Sequence, residues 1–326
     1  METNGQSANI RLSVILPVYN VAPYLHDCLD SLLYGVDGDT EIILVDDGST
    51  DESPAICEAY AAQHAQVRVF HQKNQGQGTA RNVGIEVARG TYMTFVDSDD
   101  IVSMPAMNHI VERMDATHAD LAIADYVSVV PEKKFLKAEI PVAYDEPGCF
   151  IGVSDYLKNI GKHNLMVWNK VYRRETMKDI RYPVGVEYED LNYLHLVMEH
   201  TKSILYMPIC MYYYRVQRKG NTGSAFKSIR LKGYHFFDEF GNFVRHNFGR
   251  EEYCSVADYL SGFFQGQYYE CAVLLGDKKV MQLIYEKYRH YVHDTPFRLL
   301  PLSRSLFRVS PCLYVAIRRF KNKNQR

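Results

Sequence analysis

The residues with the plainest chemical use in this chain are carboxylates at the ends of apolar runs. Asp97-Ser98-Asp99 follows directly on the run Thr91 to Val96, and Asp100 comes next. Carboxylates this close repel one another and stay ionised together only where a cation or a set of donors offsets their charge. Hard oxygen ligands suit Mg²⁺ or Mn²⁺ rather than zinc, and such an ion on one or two carboxylates completes its shell with water and substrate phosphate. The same residues also read as a turn and helix cap. Asp46-Asp47-Gly48-Ser49-Thr50 closes a second apolar run, Glu41 to Val45. There a buried Asp can accept from a base N–H or a ribose hydroxyl while Gly48 lets the backbone turn close to a ligand, or Ser49 and Asp51 simply cap the next helix. A third segment, Asn74 to Gly84, is a polar, glycine-bearing entry into a helix, whose backbone N–H groups and Arg81 could face a phosphate or a sugar.

These segments need a scaffold that brings them to one edge. Apolar runs and helical periods alternate through the first 127 residues in the order that builds a mostly parallel sheet covered by helices. Strands are expected at Leu12 to Leu16, Glu41 to Val45, Val67 to Phe70, Tyr92 to Val96 and Leu121 to Val130. Helices are expected through Tyr24 to Leu33, from Pro54, over Thr79 to Ala88 and over Met104 to Thr117. The carboxyl ends of parallel strands are where ligands bind in an open α/β sheet, and the three segments fall on successive ends. The first strand-to-helix turn, Leu16-Pro17-Val18-Tyr19-Asn20, lacks the Gly-x-Gly-x-x-Gly of a dinucleotide fingerprint, which disfavours a standard NAD site. Beyond Pro131 the pattern loosens: a polar excursion over Glu132 to Gly148, a short helix over Val153 to Gly161, and an aromatic-rich helical region from Phe226 onward.

Seven cysteines without a CxxC pair suit reduced thiols in a cytosol-facing protein and argue against structural zinc. The polar stretch Met1 to Asn9 does not read as a secretory signal, and no apolar run approaches the ~18 residues of a spanning helix. The formal net charge of −2 hides an asymmetry: residues 297–326 carry eight Lys and Arg and no Asp or Glu, which leaves 29 basic against 39 acidic residues elsewhere. That acidic body disfavours nucleic acid as a partner. In the tail, Leu299, Leu300, Leu302, Leu306, Phe307, Leu313, Tyr314, Val315 and Ile317 interleave with Arg298, Arg304, Arg308, Arg318, Arg319 and Lys321. This reads either as an interfacial element attracted to anionic lipid or as a helix packed on the body, broken in both cases by Pro301 and Pro311.

The ordered set Pro17-Val18-Tyr19-Asn20, Asp46 to Thr50, Asn74 to Gly84, Val96 to Asp100 and Tyr188-Glu189-Asp190-Leu191 resembles bacterial family 2 glycosyltransferases. The resemblance covers residues 11 to 127 closely and extends through about 215. It implies an inverting enzyme of GT-A fold using a nucleotide-sugar donor, with a catalytic domain over 1–225 (nucleotide-binding part about 10–130, acceptor part about 131–225) and a helical C-terminal region over 226–326. Carried over residue by residue, Pro17, Tyr19 and Asn20 would line the nucleotide pocket with Asp46 and Asp47, Arg81 would stand near base or phosphate, and Asp97 with Ser98 would hold ribose or sugar. Asp99 would ligate Mn²⁺ or Mg²⁺. Asp190 would be the general base, with Glu189 as the other candidate; both also read as an acidic pair favoured by a helix N-terminus. Trp168 and Lys170 lie in a further similar segment, where an indole can stack on a sugar and a Lys can hold phosphate, or the Trp is simply core. Tyr212 to Arg215 and Gly220 to Gly223 resemble a flexible segment in which Arg215, Arg218 or Lys219 would touch pyrophosphate.

The expected activity is hexosyl transfer, with UDP-hexose favoured, to a saccharide or lipid-linked saccharide acceptor in capsule, O-antigen or exopolysaccharide assembly. The expected place is the cytoplasm, peripheral on the inner face of the bacterial membrane through residues 297–326. Two other readings stand beside it: a metal-dependent nucleotidyltransferase, which would not need a second acidic site near Asp190, and a non-catalytic carbohydrate-binding or scaffold protein, against which the joint presence of Asp46, Asp97, Asp99 and Asp190 argues.

Overall fold

A computed structural model describes residues 10–130, 132–135, 137–141, 143–216, 228–294 and 302–323. The chain divides into two compact units, one over Met1–Val153 and Leu165–Arg218, the other over Ser154–Asn164 and Lys219–Arg326. The segment Ser154–Asn164, expected on the acceptor side of the catalytic region, thus belongs with the C-terminal helices.

In the first unit, β1 (Leu12–Val18) and β2 (Thr40–Asp46) are buried along their whole length, as strands covered on both faces must be. With β3 (Val67–His71) and β4 (Tyr92–Phe95) they form a parallel half-sheet in the order β3-β2-β1-β4. The sheet continues through strands of mixed direction. A two-residue strand, β5 (Ile101–Val102), pairs with the long β9 (Ile204–Arg215); β6 (Leu121–Val129) runs parallel to β9; β7 (Cys149–Ile151) lies antiparallel to it. Between β4 and β6, β8 (Lys170–Arg173) runs against both neighbours.

Helices cover the sheet. Leu25, Cys28, Leu29 and Leu32 of α1 (Ala22–Leu33) and Met107, Ile110, Val111 and Met114 of α4 (Met104–Thr117) enter the same core as β1 and β2, at the i, i+3, i+4 spacing of one helix face. Ser103 caps α4 by accepting from the Ala106 N–H, with Pro105 in its first turn. After α2 (Ser53–Gln63), α3 (Gln77–Val87) lies against β1 so closely that a Cβ on Gly84 would stand 2.2 Å from Ile15 Cγ2. Only glycine permits that approach.

The second unit is helical. It comprises α5 (Val153–Lys158) and α6 (Ile160–His163), and, beyond the first unit's α7 (Arg174–Met177) and α8 (Glu189–His200), α9 (Tyr234–Asn247), α10 (Arg250–Leu274), α11 (Lys278–Asp294), α12 (Leu302–Val309) and α13 (Pro311–Lys323). Aromatic rings make its core: Phe264 packs on Tyr234, Phe237 and Tyr291, and Phe307 seats α12 among Tyr268, Tyr285 and Tyr288. No described helix is long and apolar enough to cross a membrane.

Candidate active site

The first unit's strand ends supply an interlocked set of loops. Asn20, in left-handed backbone at φ 52°, turns its side chain so that Oδ1 accepts from the Thr50 and Asp51 N–H groups, while its own N–H donates to Ser49 Oγ. Asp51 in turn accepts from the Ala22 N–H. The loops after β1 and β2 are therefore one braced structure, and Tyr19 stands exposed on it. Gly48, at φ 71°, passes so near the next loop that a Cβ would sit 2.8 Å from the Asn74 backbone nitrogen. Asp47 organises that loop, accepting from Gln72 Nε2 at 2.6 Å and from the Gln75 and Gly76 N–H groups at 2.8 Å each. Asp46 accepts from the Ser49 N–H and faces His71 Nδ1 at 2.9 Å, and the far side of that ring meets Glu58. These two carboxylates raise the His71 pKa, so the imidazole tends to carry charge.

At the next strand end stands the strongest electrostatic feature of the unit. Arg81, at the first turns of α3, is fully buried; its Nη2 donates to Asp97 Oδ1 at 2.8 Å and its Nη1 to Asp190 Oδ1 at 2.5 Å, with Glu189 Oε1 at 3.6 Å. One guanidinium thus gathers carboxylates from distant parts of the chain, Asp190 lying 109 positions from Arg81 and Asp97 only 16. Its flat face lies over Tyr182, which is stacked on Tyr193 at 4.2 Å, and both rings pack edge-on to Phe95. Gln77 Nε2 also donates to Asp97 Oδ1 at 3.2 Å. Tyr188, left-handed at φ 65°, turns the chain into α8 so that Glu189 and Asp190 occupy its first turn.

The carboxyls answer to this crowding. Burial, with Asp190 beside it, pushes Glu189 up to about 7 against the pull of Arg81. Asp190 is likewise raised by burial and by Asp97, with Arg81 again opposing. The helix N-terminus favours their ionised forms, but burial wins. On β8, Lys170 is fully buried, donates to the Met166 carbonyl and to Asn169 Oδ1, and is lowered to about 7 by burial.

The Asp99 carbonyl and the Asp100 carboxylate meet a second arginine, also buried. Arg215 donates to the carbonyls of Asp99 and Lys133 and to Asp27 Oδ2, and its backbone N–H donates to Asp100 Oδ1 at 2.7 Å. The Tyr212 hydroxyl bridges Asp100 Oδ2 and the Asp97 N–H. Ser98 donates to the Pro17 carbonyl, tying this turn to the end of β1. Burial, with Asp97 nearby, pushes Asp100 up to about 7.

The structure therefore sorts the residues singled out in the sequence. Pro17, Asn20, Asp46, Asp47, Arg81, Asp97, Ser98, Asp99, Lys170, Glu189 and Asp190 share one edge of the sheet or the loops beside it. The side chains of Trp168, Arg215 and Arg81, all singled out in the sequence, are buried. Trp168 is core: 4% exposed, stacked against Tyr212 and Tyr214 and met edge-on by Tyr126, it has no face open to a sugar. Arg215, expected at pyrophosphate, is consumed as a structural clamp. Arg81 lies beneath the carboxylates rather than open to base or phosphate. Arg218, Lys219 and Gly220 to Gly223 lie outside the described residues. Asp27, Tyr182 and Tyr193 were not singled out by sequence reasoning; the last two carry only an aromatic signal shared by many core rings.

Comparison with known proteins follows the same lines. The model of the family described as Glycosyl transferase family 2 matches residues 13–181. EpsH of Bacillus subtilis, whose name assigns it to the glycosyltransferases, is 32% identical over 256 residues, covering 76% of this chain and 73% of that protein. EpsJ of the same organism, an uncharacterized glycosyltransferase, is 38% identical over 173 residues, and the chain spans only 48% of its length. Among solved structures, S. aureus TarS 1-349 in complex with UDP-GlcNAc superposes with a TM-score of 0.69 at 21% identity, over 94% of this chain and 89% of that one, a likeness of fold.

Proposed function

Because this chain belongs to glycosyl transferase family 2 and is a glycosyltransferase, we propose that it works by inversion, moving a hexosyl group from a UDP-sugar to a lipid-linked saccharide acceptor in surface polysaccharide assembly. The observation that supports this reading is the Arg81 bridge, through which one guanidinium joins Asp97, assigned here to the donor, and Asp190, assigned here to the acceptor. In such a transfer the acceptor hydroxyl oxygen bonds to the anomeric carbon as the bond from that carbon to the diphosphate oxygen breaks. The hydroxyl proton must go to a base, and the leaving diphosphate keeps the electron pair. A carboxyl raised above its ordinary range is better matched to accept that proton near neutral pH, and Asp190 is in that state. Arg81 holds its carboxylate in place, and burial beside Asp190 raises the neighbouring Glu189 as well.

The donor-binding part rests on the braced loops of Tyr19, Asn20, Asp46 and Asp47 and on Asp97 with Ser98. A divalent cation fits the chemistry of the strand-end turn: Asp97 and Asp99 are hard oxygen donors, and the nearby Cys28 thiol, raised by burial, stays protonated. No group of three His, Cys, Asp or Glu poised for a metal occurs among the described residues. Such an ion would therefore be held by Asp99 with Asp97, diphosphate and water, as Mn²⁺ or Mg²⁺ commonly is, and would offset the charge of the departing diphosphate. An acceptor of that kind would bring the protein to the inner face of the cytoplasmic membrane.

The test is calorimetric titration of UDP and of GDP into the protein with Mn²⁺ and with chelator, repeated on Asp99→Ala. Metal-dependent UDP binding that disappears in the variant is expected; no nucleotide binding under any condition would overturn the donor assignment.

A further inference from the structure

Helix α13 is packed by one face and bare on the opposite one. Tyr314 and Val315 turn inward, and the Arg318 guanidinium stacks over Tyr269 at 4.4 Å. On the other arc Leu313, Ile317 and Phe320, at i, i+4 and i+7, are 49%, 40% and 68% exposed. The Arg319 guanidinium donates to the Ala272 carbonyl at 2.7 Å, which sets the last turns of α13 beside the end of α10. There Val273, Leu274 and Leu275 are also exposed. Six exposed apolar side chains thus lie on α13 and at the end of α10, two elements that the Arg319–Ala272 bond joins.

The rim is cationic. Lys278, Lys279, Arg319 and Lys321 stand exposed around it. The carboxylate among them, Asp277, is occupied in capping α11, its Oδ1 accepting from the Lys279 and Val280 N–H groups. Two of the tail's eight basic residues are engaged elsewhere, Arg304 paired to Asp258 and Arg318 stacked over Tyr269.

We propose that this two-element face, Leu313, Ile317 and Phe320 with Val273 to Leu275, docks on an anionic lipid surface. The apolar side chains enter the interfacial layer and the four cations meet lipid phosphates. Charge complementarity selects this occupant over a second copy of the chain, because a symmetric self-contact would bring the same cations against one another. The proposal extends the reading of a lipid-linked acceptor and rests on that reading only for its purpose.

The test is flotation of the full chain with vesicles of phosphatidylcholine alone and of phosphatidylcholine with phosphatidylglycerol in equal parts. The protein should float with the second and not the first, and added salt should release it. Ile317→Ser with Phe320→Ser should lower the bound fraction at least about tenfold, as should Lys279→Glu with Lys321→Glu, while UDP titration without vesicles stays unchanged in both. Equal binding to the two vesicles, no binding, or binding untouched by the substitutions would overturn the proposal. So would a dimer in sedimentation equilibrium that the Phe320 change dissociates. Flotation without UDP binding in the parent would instead sink the donor reading and leave the docking face standing.

Discussion

Replacing Arg81 by Met keeps the bulk of the side chain and removes the cation on which the acidic cluster depends. The guanidinium is fully buried and holds Asp97 and Asp190 at 2.8 and 2.5 Å. Removing one partner of a buried pair costs about 3–5 kcal/mol, because the other charge stays behind without compensation. The cost must depend on pH. Glu189 already sits near 7 against an ordinary 4.5, and Asp190 is raised as well. A folded-state carboxyl that holds its proton more tightly than the unfolded chain does stabilises the fold fully below its unfolded pKa. It loses that advantage as pH climbs through the folded one, at most ~1.4 kcal/mol per pH unit for each group. Without Arg81 both carboxyls rise further. Urea unfolding should therefore show Arg81→Met about 3–5 kcal/mol less stable than the parent near pH 8, with the gap closing to about 1 kcal/mol toward pH 5 as Glu189 and Asp190 protonate. A gap that is the same at both pH values, or absent at pH 8, would refute the claim that this one cation holds the cluster together.

Asp190→Asn should lower kcat by ~10²–10⁴-fold while UDP binding by calorimetry changes little, since the amide keeps the shape but cannot take a proton. Arg215→Met should cost about 3–5 kcal/mol in urea unfolding, because Asp27 and the Asp99 and Lys133 carbonyls lose a buried donor. Gly84→Ala should destabilise by about 1–3 kcal/mol through the contact with Ile15. Ile15→Ala in the same chain should recover part of that loss, so the double variant should be more stable than the two single effects added together.

What the sequence made legible depended on range. The strands and helices through Thr117 follow from apolar runs, fully buried in β1, β2 and β4, and from helical spacing, which are local signals; α4 falls on the expected residues, and β1 to β4 agree within two positions at either end. The second half of the sheet was harder. β8 and β9 mix apolar and aromatic residues without clean alternation, and β9 carries Tyr212 to Arg215, whose family likeness suggested a flexible segment, into twelve residues of strand. The candidate site divides the same way. Strand-end aspartates announce themselves by composition and place. That Arg81 serves Asp190 rather than a ligand, and that Arg215 is a clamp, depends on pairings more than a hundred residues apart that no local pattern encodes. Trp168 shows the limit on the other side: a lone indole near a site reads the same whether its faces are open or covered, and only the neighbours on β9 decide.

The reversed strand β8 has a consequence for how such a sheet can diversify. In a parallel sheet every residue delivered to the ligand edge is the last of its strand, so any change there also disturbs the loop and cap that follow. Asn169 and Lys170 reach that edge as the opening of a strand, with Lys170 locked by its carbonyl to Thr94 Oγ1 and Asn169 by its amide to the Ala124 carbonyl. Their register is thus set by β4 and β6, downstream of the long connection after β6. Insertions and deletions in that connection would therefore leave Asn169 and Lys170 where β4 and β6 hold them, so the edge keeps its geometry while the chain that leads to it changes length.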